Sequence, residues 1–87
     1  MEKKLMCRVL TVSQLEEPLE LEYYLLTTEG VADTYGIQVR MYFRGVWESG
    51  QYQYITMSYE RILGIVELLS RGAVTPTGLG EVLQDIL

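Results

Sequence analysis

Residues 20–44 read Glu20-Leu21-Glu22-Tyr23-Tyr24-Leu25-Leu26-Thr27-Thr28-Glu29-Gly30-Val31-Ala32-Asp33-Thr34-Tyr35-Gly36-Ile37-Gln38-Val39-Arg40-Met41-Tyr42-Phe43-Arg44, and this stretch decides the fold. On both sides of Gly30, apolar residues recur at every second position, the period of a strand with one buried face. Within Leu19–Thr28, Leu21, Tyr23 and Leu25 share one face while Glu20, Glu22 and Tyr24 share the other. Within Tyr35–Arg44, Tyr35, Ile37, Val39, Met41 and Phe43 oppose Gln38, Arg40, Tyr42 and Arg44. Glu29-Gly30-Val31-Ala32-Asp33 reads as the hairpin loop between them. Centring the hairpin on Val31 sets Leu25 against Ile37, Tyr23 against Val39 and Leu21 against Met41. The same register sets Glu22 against Arg40 on the reverse face, an opposite-charge pair worth a few tenths of a kcal/mol. The apolar match and the charge match are independent, and they agree.

Working outward toward the N-terminus, Lys4–Val12 alternates Leu5, Cys7 and Val9 against Lys4 and Arg8, which predicts a strand. Ser13–Pro18 is a polar connection ending in proline. Toward the C-terminus, Ser49-Gly50 is a turn signal followed by a strand over Gln51–Met57. Strict pairing across that turn sets Ile55 against Arg44. A one-residue bulge near Gly45 restores Ile55 to Phe43 and Met57 to Met41. After Ser58, an N-cap, the period changes. Ile62, Leu63, Ile65, Val66 and Leu69 predict an amphipathic helix to about Ser70, with Gly72 as its stop. Thr75-Pro76 predicts the start of a second helix with Leu79, Val82, Leu83, Ile86 and Leu87 on one face. Gly78 and Gly80 weaken it by about 1 kcal/mol each relative to alanine.

The expected fold is therefore α+β. A single domain over residues 1–87 holds an antiparallel meander of three to four strands, with two C-terminal helices on one face. Leu21, Tyr23, Leu25, Ile37, Val39, Met41, Phe43, Ile62, Val66, Leu69, Val82, Leu83 and Ile86 form its predicted core. At 87 residues such a domain buries only about 60–65% of the surface its unfolded chain exposes, so a partner is expected to complete the core.

The closing segments add a resemblance. The hairpin Glu22-Tyr23-Tyr24-Leu25-Leu26 … Tyr35-Gly36-Ile37-Gln38-Val39 leads to a strand and a helix, then to Val74-Thr75-Pro76, Leu79 and Gln84-Asp85-Ile86-Leu87. From about Glu20 to Leu87 this resembles a family of short bacterial, clostridial-type proteins of unknown function. The resemblance implies a hairpin or meander followed by two helices. It carries no catalytic or binding residue to this chain.

Composition removes several chemistries. With no histidine and the single cysteine Cys7, the chain lacks the parts for Ser-His-Asp or Cys-His catalysis, histidine zinc sites and thiolate cages. Seven Lys and Arg against twelve Asp and Glu give a net charge of −5, and the isoelectric point is near 4.5. Such a chain is repelled by phosphate backbones and anionic lipid, so neither nucleic acid nor membrane is an expected partner. Lys3-Lys4 followed by Leu5-Met6-Cys7 has the look of a leader, but Arg8 ends the apolar run at once. The expected location is cytoplasmic.

Seven tyrosines are the unusual feature. The expected register sends Tyr24, Tyr42 and Tyr54, with Tyr52 beside them, to the sheet face away from the helices, next to Arg40. Exposed aromatics there bury a partner's side chains or stack on a ligand, while tyrosine is also an ordinary half-exposed strand residue. Glu22, Arg40 and Arg8 read as a cross-strand ion-pair row. Glu16, Glu17, Glu20 and Glu22 lack calcium-loop spacing and read as solvated charge. Cys7 reads as a small buried hydrophobe. Gly78-x-Gly80 is too short for a phosphate loop. The expectation is a non-enzymatic protein-interaction module, homodimeric or bound to another protein, without catalytic residues, metal or cofactor. The alternative is a module that binds a small ligand or a peptide on the tyrosine-bearing face.

Overall fold

The central hairpin pairs in the register that its alternation and charges imply. In a computed structural model, which describes residues 2–28 and 34–87, the chain runs β1 (Glu2–Val12), β2 (Pro18–Thr28), β3 (Thr34–Phe43), β4 (Val46–Thr56), α1 (Tyr59–Arg71) and α2 (Leu79–Ile86). The strands form one antiparallel sheet in the order β1-β2-β3-β4. Leu25 faces Ile37, Tyr23 faces Val39, Leu21 faces Met41 and Glu22 faces Arg40. The expected loop at Glu29–Asp33 lies outside the described residues. On the other flank Arg8 faces Glu22 and Val9 faces Leu21, with a register shift between Leu5 and Cys7.

The β3–β4 connection is not at Ser49-Gly50. It is the two-residue turn Arg44-Gly45, whose φ angles of 51° and 78° are both left-handed, as a hairpin that follows strand twist requires. Ser49 and Gly50 lie inside β4, opposite Arg40 and Val39. Phe43 and Met41 accordingly face Val46 and Glu48, not Ile55 and Met57. With the turn there, Val46 to Tyr52 pair in unbroken register with Phe43 to Ile37. The bulge exists but sits elsewhere. Tyr54 takes a φ of 59°, and the register shifts between Tyr35 and Ile37. Gly36 lies at that shift, where an added Cβ collides with the Tyr52 carbonyl oxygen and comes within 2.8 Å of the Gln53 Cα. Only glycine admits β4 so closely.

Ser58 caps α1 as its position implies, its Oγ accepting from the Arg61 N–H at 3.2 Å. At the other end, Val74 N–H donates to the Leu69 carbonyl and Ala73 N–H to the Ser70 carbonyl. These are the paired bonds of a Schellman close. The left-handed residue is Ala73 (φ 48°), one position beyond Gly72. The second helix starts at Leu79, not at Thr75-Pro76. The Tyr23 hydroxyl donates to the Val74 carbonyl at 2.9 Å, and Pro76 packs over Gly50, holding this segment down on the sheet. Thr75–Gly78 instead makes a turn closed by Gly78 N–H to the Thr75 carbonyl.

α1 lies across all four strands and α2 beside β4. Between them and the sheet sit Leu21, Tyr23, Leu25, Ile37, Val39, Ile62, Ile65, Val66, Leu69, Leu79 and Leu83. Met41, Val82 and Ile86 pack at the margin of this core, but Phe43 falls outside it, near the sheet end that carries the Arg44-Gly45 turn. Gly64 is the weak point of α1. It is exposed, and a Cβ there meets nothing within 4 Å. Gly64→Ala is expected to raise stability by about 0.5–1 kcal/mol, read as a higher denaturation midpoint at unchanged slope.

Candidate functional site: the uncovered sheet face

Paired residues share a face, so the strand registers order the side chains opposite the helices into rows. Leu10, Glu20, Tyr42 and Trp47 form one row, and Arg8, Glu22, Arg40 and Ser49 the next. Leu5, Tyr24, Gln38 and Gln51 follow. Val12 and Pro18 extend the first side.

Glu22 is the centre of this face and is almost wholly buried, at 5% exposure. Its carboxylate accepts from Arg8 Nη2 at 3.0 Å, from the Tyr24 hydroxyl at 3.0 Å and from Arg40 Nη1 at 3.4 Å. Burial alone pushes its pKa up. The hydrogen bonds from Arg8 and Tyr24, with the charges of Arg40 and Arg8, outweigh that and hold it below the ordinary glutamate value. Arg8 also pairs with Glu20 at 2.8 Å. The fold thus gathers cations that are scattered in sequence. Among the described residues, Lys3, Arg8 and Arg40 share the face with two carboxylates, Glu20 and Glu22, in a chain whose net charge is −5.

Beside this network the Arg40 guanidinium lies 4.2 Å from the Trp47 ring centroid, and the Trp47 and Tyr42 rings are 5.0 Å apart. Trp47 and Tyr42 stay 42% and 39% exposed. A groove of about 390 Å³ runs next to them, lined by Leu10, Pro18, Leu19, Glu20, Tyr42 and Arg44 among others. Arg44 grips Glu17 through two bonds of 2.6 Å at its end.

Of the residues singled out from sequence, the fold brings Tyr24, Tyr42 and Arg40 together on this face. It does not bring Tyr52 or Tyr54 there. Tyr52 pairs with Ile37 on the helix side, and both tyrosines line a cleft against α2. The misplaced turn is the cause, since moving it from Ser49-Gly50 to Arg44-Gly45 reassigns the faces of β4. The same error hid Trp47. The one local hint is Gly45, which takes the second turn position with a φ of 78°. Cys7 is half-buried on the helix side opposite Tyr23. Among the described residues no group of three or more His, Cys, Asp and Glu is placed to hold a metal. None of their helices is long and apolar enough to cross a membrane.

Fold and face together define a small α+β domain with an open four-stranded sheet, one side covered by helices and the other bearing a polar-centred aromatic surface. The chain belongs to DUF6514, a family of unknown function, which it matches over residues 2–87. No curated protein and no solved structure matches it.

Proposed function

We propose that this protein is a non-enzymatic interaction module that pairs with a second copy of itself through the uncovered sheet face. The observation that carries the reading is the Trp47–Arg40–Tyr42 stack, half-exposed beside a satisfied Glu22 network. Trp, Tyr and Arg are the residues that dominate binding energy at protein interfaces, and they do so where neighbouring polar groups are already paired. The choice of a second copy rests on charge. Two chains of net charge −5 repel each other least where their surfaces are locally balanced, and among the described residues this face carries three cations and two carboxylates. Size also supports it. Four strands of ten or eleven residues present a face of about 20 by 35 Å, close to the ~800 Å² each partner contributes to a standard interface. A twofold pair is the commonest way for one sequence to use such a patch. In the same reading the protein acts in the cytoplasm of a clostridial-type bacterium, without cofactor or nucleic acid. The groove beside Tyr42 favours a second reading, a small apolar ligand held on this face.

Sedimentation at micromolar concentration is expected to show a dimer. Tyr42→Glu and Trp47→Glu should each shift it to monomer without lowering the melting temperature by more than a few degrees. Tyr54→Glu should leave it dimeric, because Tyr54 lies against α2. A monomeric wild type, or a dimer indifferent to Tyr42 and Trp47, removes the face from consideration.

A further inference from the structure

Leu10 and Trp47 stand at opposite corners of the uncovered face, in the row Leu10–Glu20–Tyr42–Trp47. Leu10 is 76% exposed on β1 and Trp47 is 42% exposed on β4. With three strand spacings between them, about 14 Å, neither can cover the other. Charge on this face is as uneven. Arg8 lies on β1, Glu20 and Glu22 on β2 and Arg40 on β3, while β4 presents the uncharged Trp47, Ser49 and Gln51. These two asymmetries decide how a second copy is laid on the face.

Sheets packed face to face keep their strands within about 30° of each other. Two twofold axes satisfy this while overlapping the whole face, as an interface of ~800 Å² per partner requires. One runs across the strands at the central row, Arg8–Glu22–Arg40–Ser49, and makes every residue of that row meet itself. Arg8 then lies on the partner's Arg8, Glu22 on the partner's Glu22 and Arg40 on the partner's Arg40. Like charges facing each other there oppose association. The same axis sets Trp47 on the partner's Gln51. Sliding the copies by one row gives up overlap, and it sets either Leu10 on the partner's Lys3 or Glu20 on the partner's Glu22.

The other axis runs along the strands between β2 and β3. It lays β1 over the partner's β4 and β2 over the partner's β3, row upon row. Leu10 then covers the partner's Trp47, and the contact occurs twice. Glu22 faces the partner's Arg40, Glu20 faces the partner's Tyr42 and Arg8 faces the partner's Ser49, so no like charges meet among them. On the self-pairing proposed above, we infer that the dimer uses this along-strand axis, with Leu10 of each copy packed on Trp47 of the other. The apolar corners and the charges are independent observations, and both select it.

The test is sedimentation of two variants, alone and mixed. Leu10→Asp and Trp47→Lys should each weaken self-association by at least roughly tenfold. An equal mixture should regain the dimer, because each mixed pair has one opposite-charge corner and one corner of intact Leu10 on Trp47. Both positions are exposed, so near-wild-type melting temperatures should accompany these results. A second measurement uses Ser49→Cys with a short bismaleimide, and wild type, whose Cys7 lies on the helix side, is the control. Ser49 meets its own copy under the across-strand axis and lies about 14 Å to one side under the along-strand axis. Linking of Ser49→Cys should therefore stay at the wild-type level. A mixture that stays monomeric, or Ser49→Cys that links into dimers, overturns this arrangement while the wild-type dimer stands. A monomeric wild type removes the self-pairing itself and this arrangement with it.

Discussion

Tyr23→Ala is expected to cost about 3–5 kcal/mol, the range for truncating a buried large aromatic. A domain of 87 residues has roughly 4–13 kcal/mol of stability in total, so the variant should be largely unfolded or close to it. Tyr23 has no exposed surface, sits between Cys7 and Val39, and binds the Val74 carbonyl through its hydroxyl. That bond ties the segment between α1 and α2 to the sheet, so losing it should also loosen α2. Tyr23→Phe separates the two contributions. It keeps the ring and leaves the Val74 carbonyl without its partner, at a cost of about 1–3 kcal/mol. Burial, with a smaller contribution from Cys7, pushes the Tyr23 pKa up to about 12. Because the folded value is raised above the unfolded value of 10, the stabilisation is fully present below about pH 10. It is lost as pH rises from there through about 12. Denaturant titrations at about pH 8 and pH 11 should show a loss in wild type that is smaller in Tyr23→Phe. Equal losses in both proteins, or a Tyr23→Ala protein of wild-type stability, contradict this placement.

Glu22→Ala is expected to lower stability by about 1–3 kcal/mol. Removing one partner of a buried ion pair ordinarily costs more, but the Arg8 side chain is 53% exposed and water replaces part of what it loses. Arg40 suffers more, being partly buried and left with the Trp47 ring as its neighbour. Glu22→Gln should recover part of the loss, since an amide oxygen still accepts from Tyr24. The acid limb of stability carries the same information. The folded pKa of Glu22 lies below the unfolded value, so its contribution is complete above about pH 4.5 and disappears as pH falls through the folded value. Glu17, held low by the hydrogen bond from Arg44, titrates in the same direction but is exposed and contributes little. Wild type should therefore lose stability on acidification more steeply than Glu22→Ala. Parallel acid curves for the two proteins would count against a buried, ion-paired Glu22.

The central hairpin and α1 were legible because several short-range signals coincide there. In the hairpin, apolar alternation and the Glu22–Arg40 pair specify one register, and a slip of one residue turns every apolar side chain to the wrong face. In α1, the Ser58 cap and the spacing of Ile62, Ile65, Val66 and Leu69 specify both its start and its buried stripe. β4 was legible as a strand only from Gln51 onward. Its seven residues from Val46 to Tyr52 alternate weakly, with Glu48 and Gly50 on the helix side, so polarity does not reveal which face is which. From sequence the turn falls at Ser49-Gly50 with a bulge near Gly45, and the residues alone do not say which site takes which role.

The sequence by itself determined an α+β meander, the pairing of β2 with β3, the helical stripe of α1 and the absence of histidine chemistry. These depend on period, on neighbouring charges and on composition, which any reader of the chain has in hand. Tertiary structure alone decided where β4 begins to pair, where α2 starts, and hence that Trp47 joins Arg40 and Tyr42 while Tyr52 and Tyr54 go to the α2 cleft. The physical reason is that each of these is settled by a contact between distant segments. Pro76 over Gly50, the Tyr23 hydroxyl on the Val74 carbonyl, and the backbone of β4 against Gly36 fix them, and none of the three leaves a mark in the local pattern.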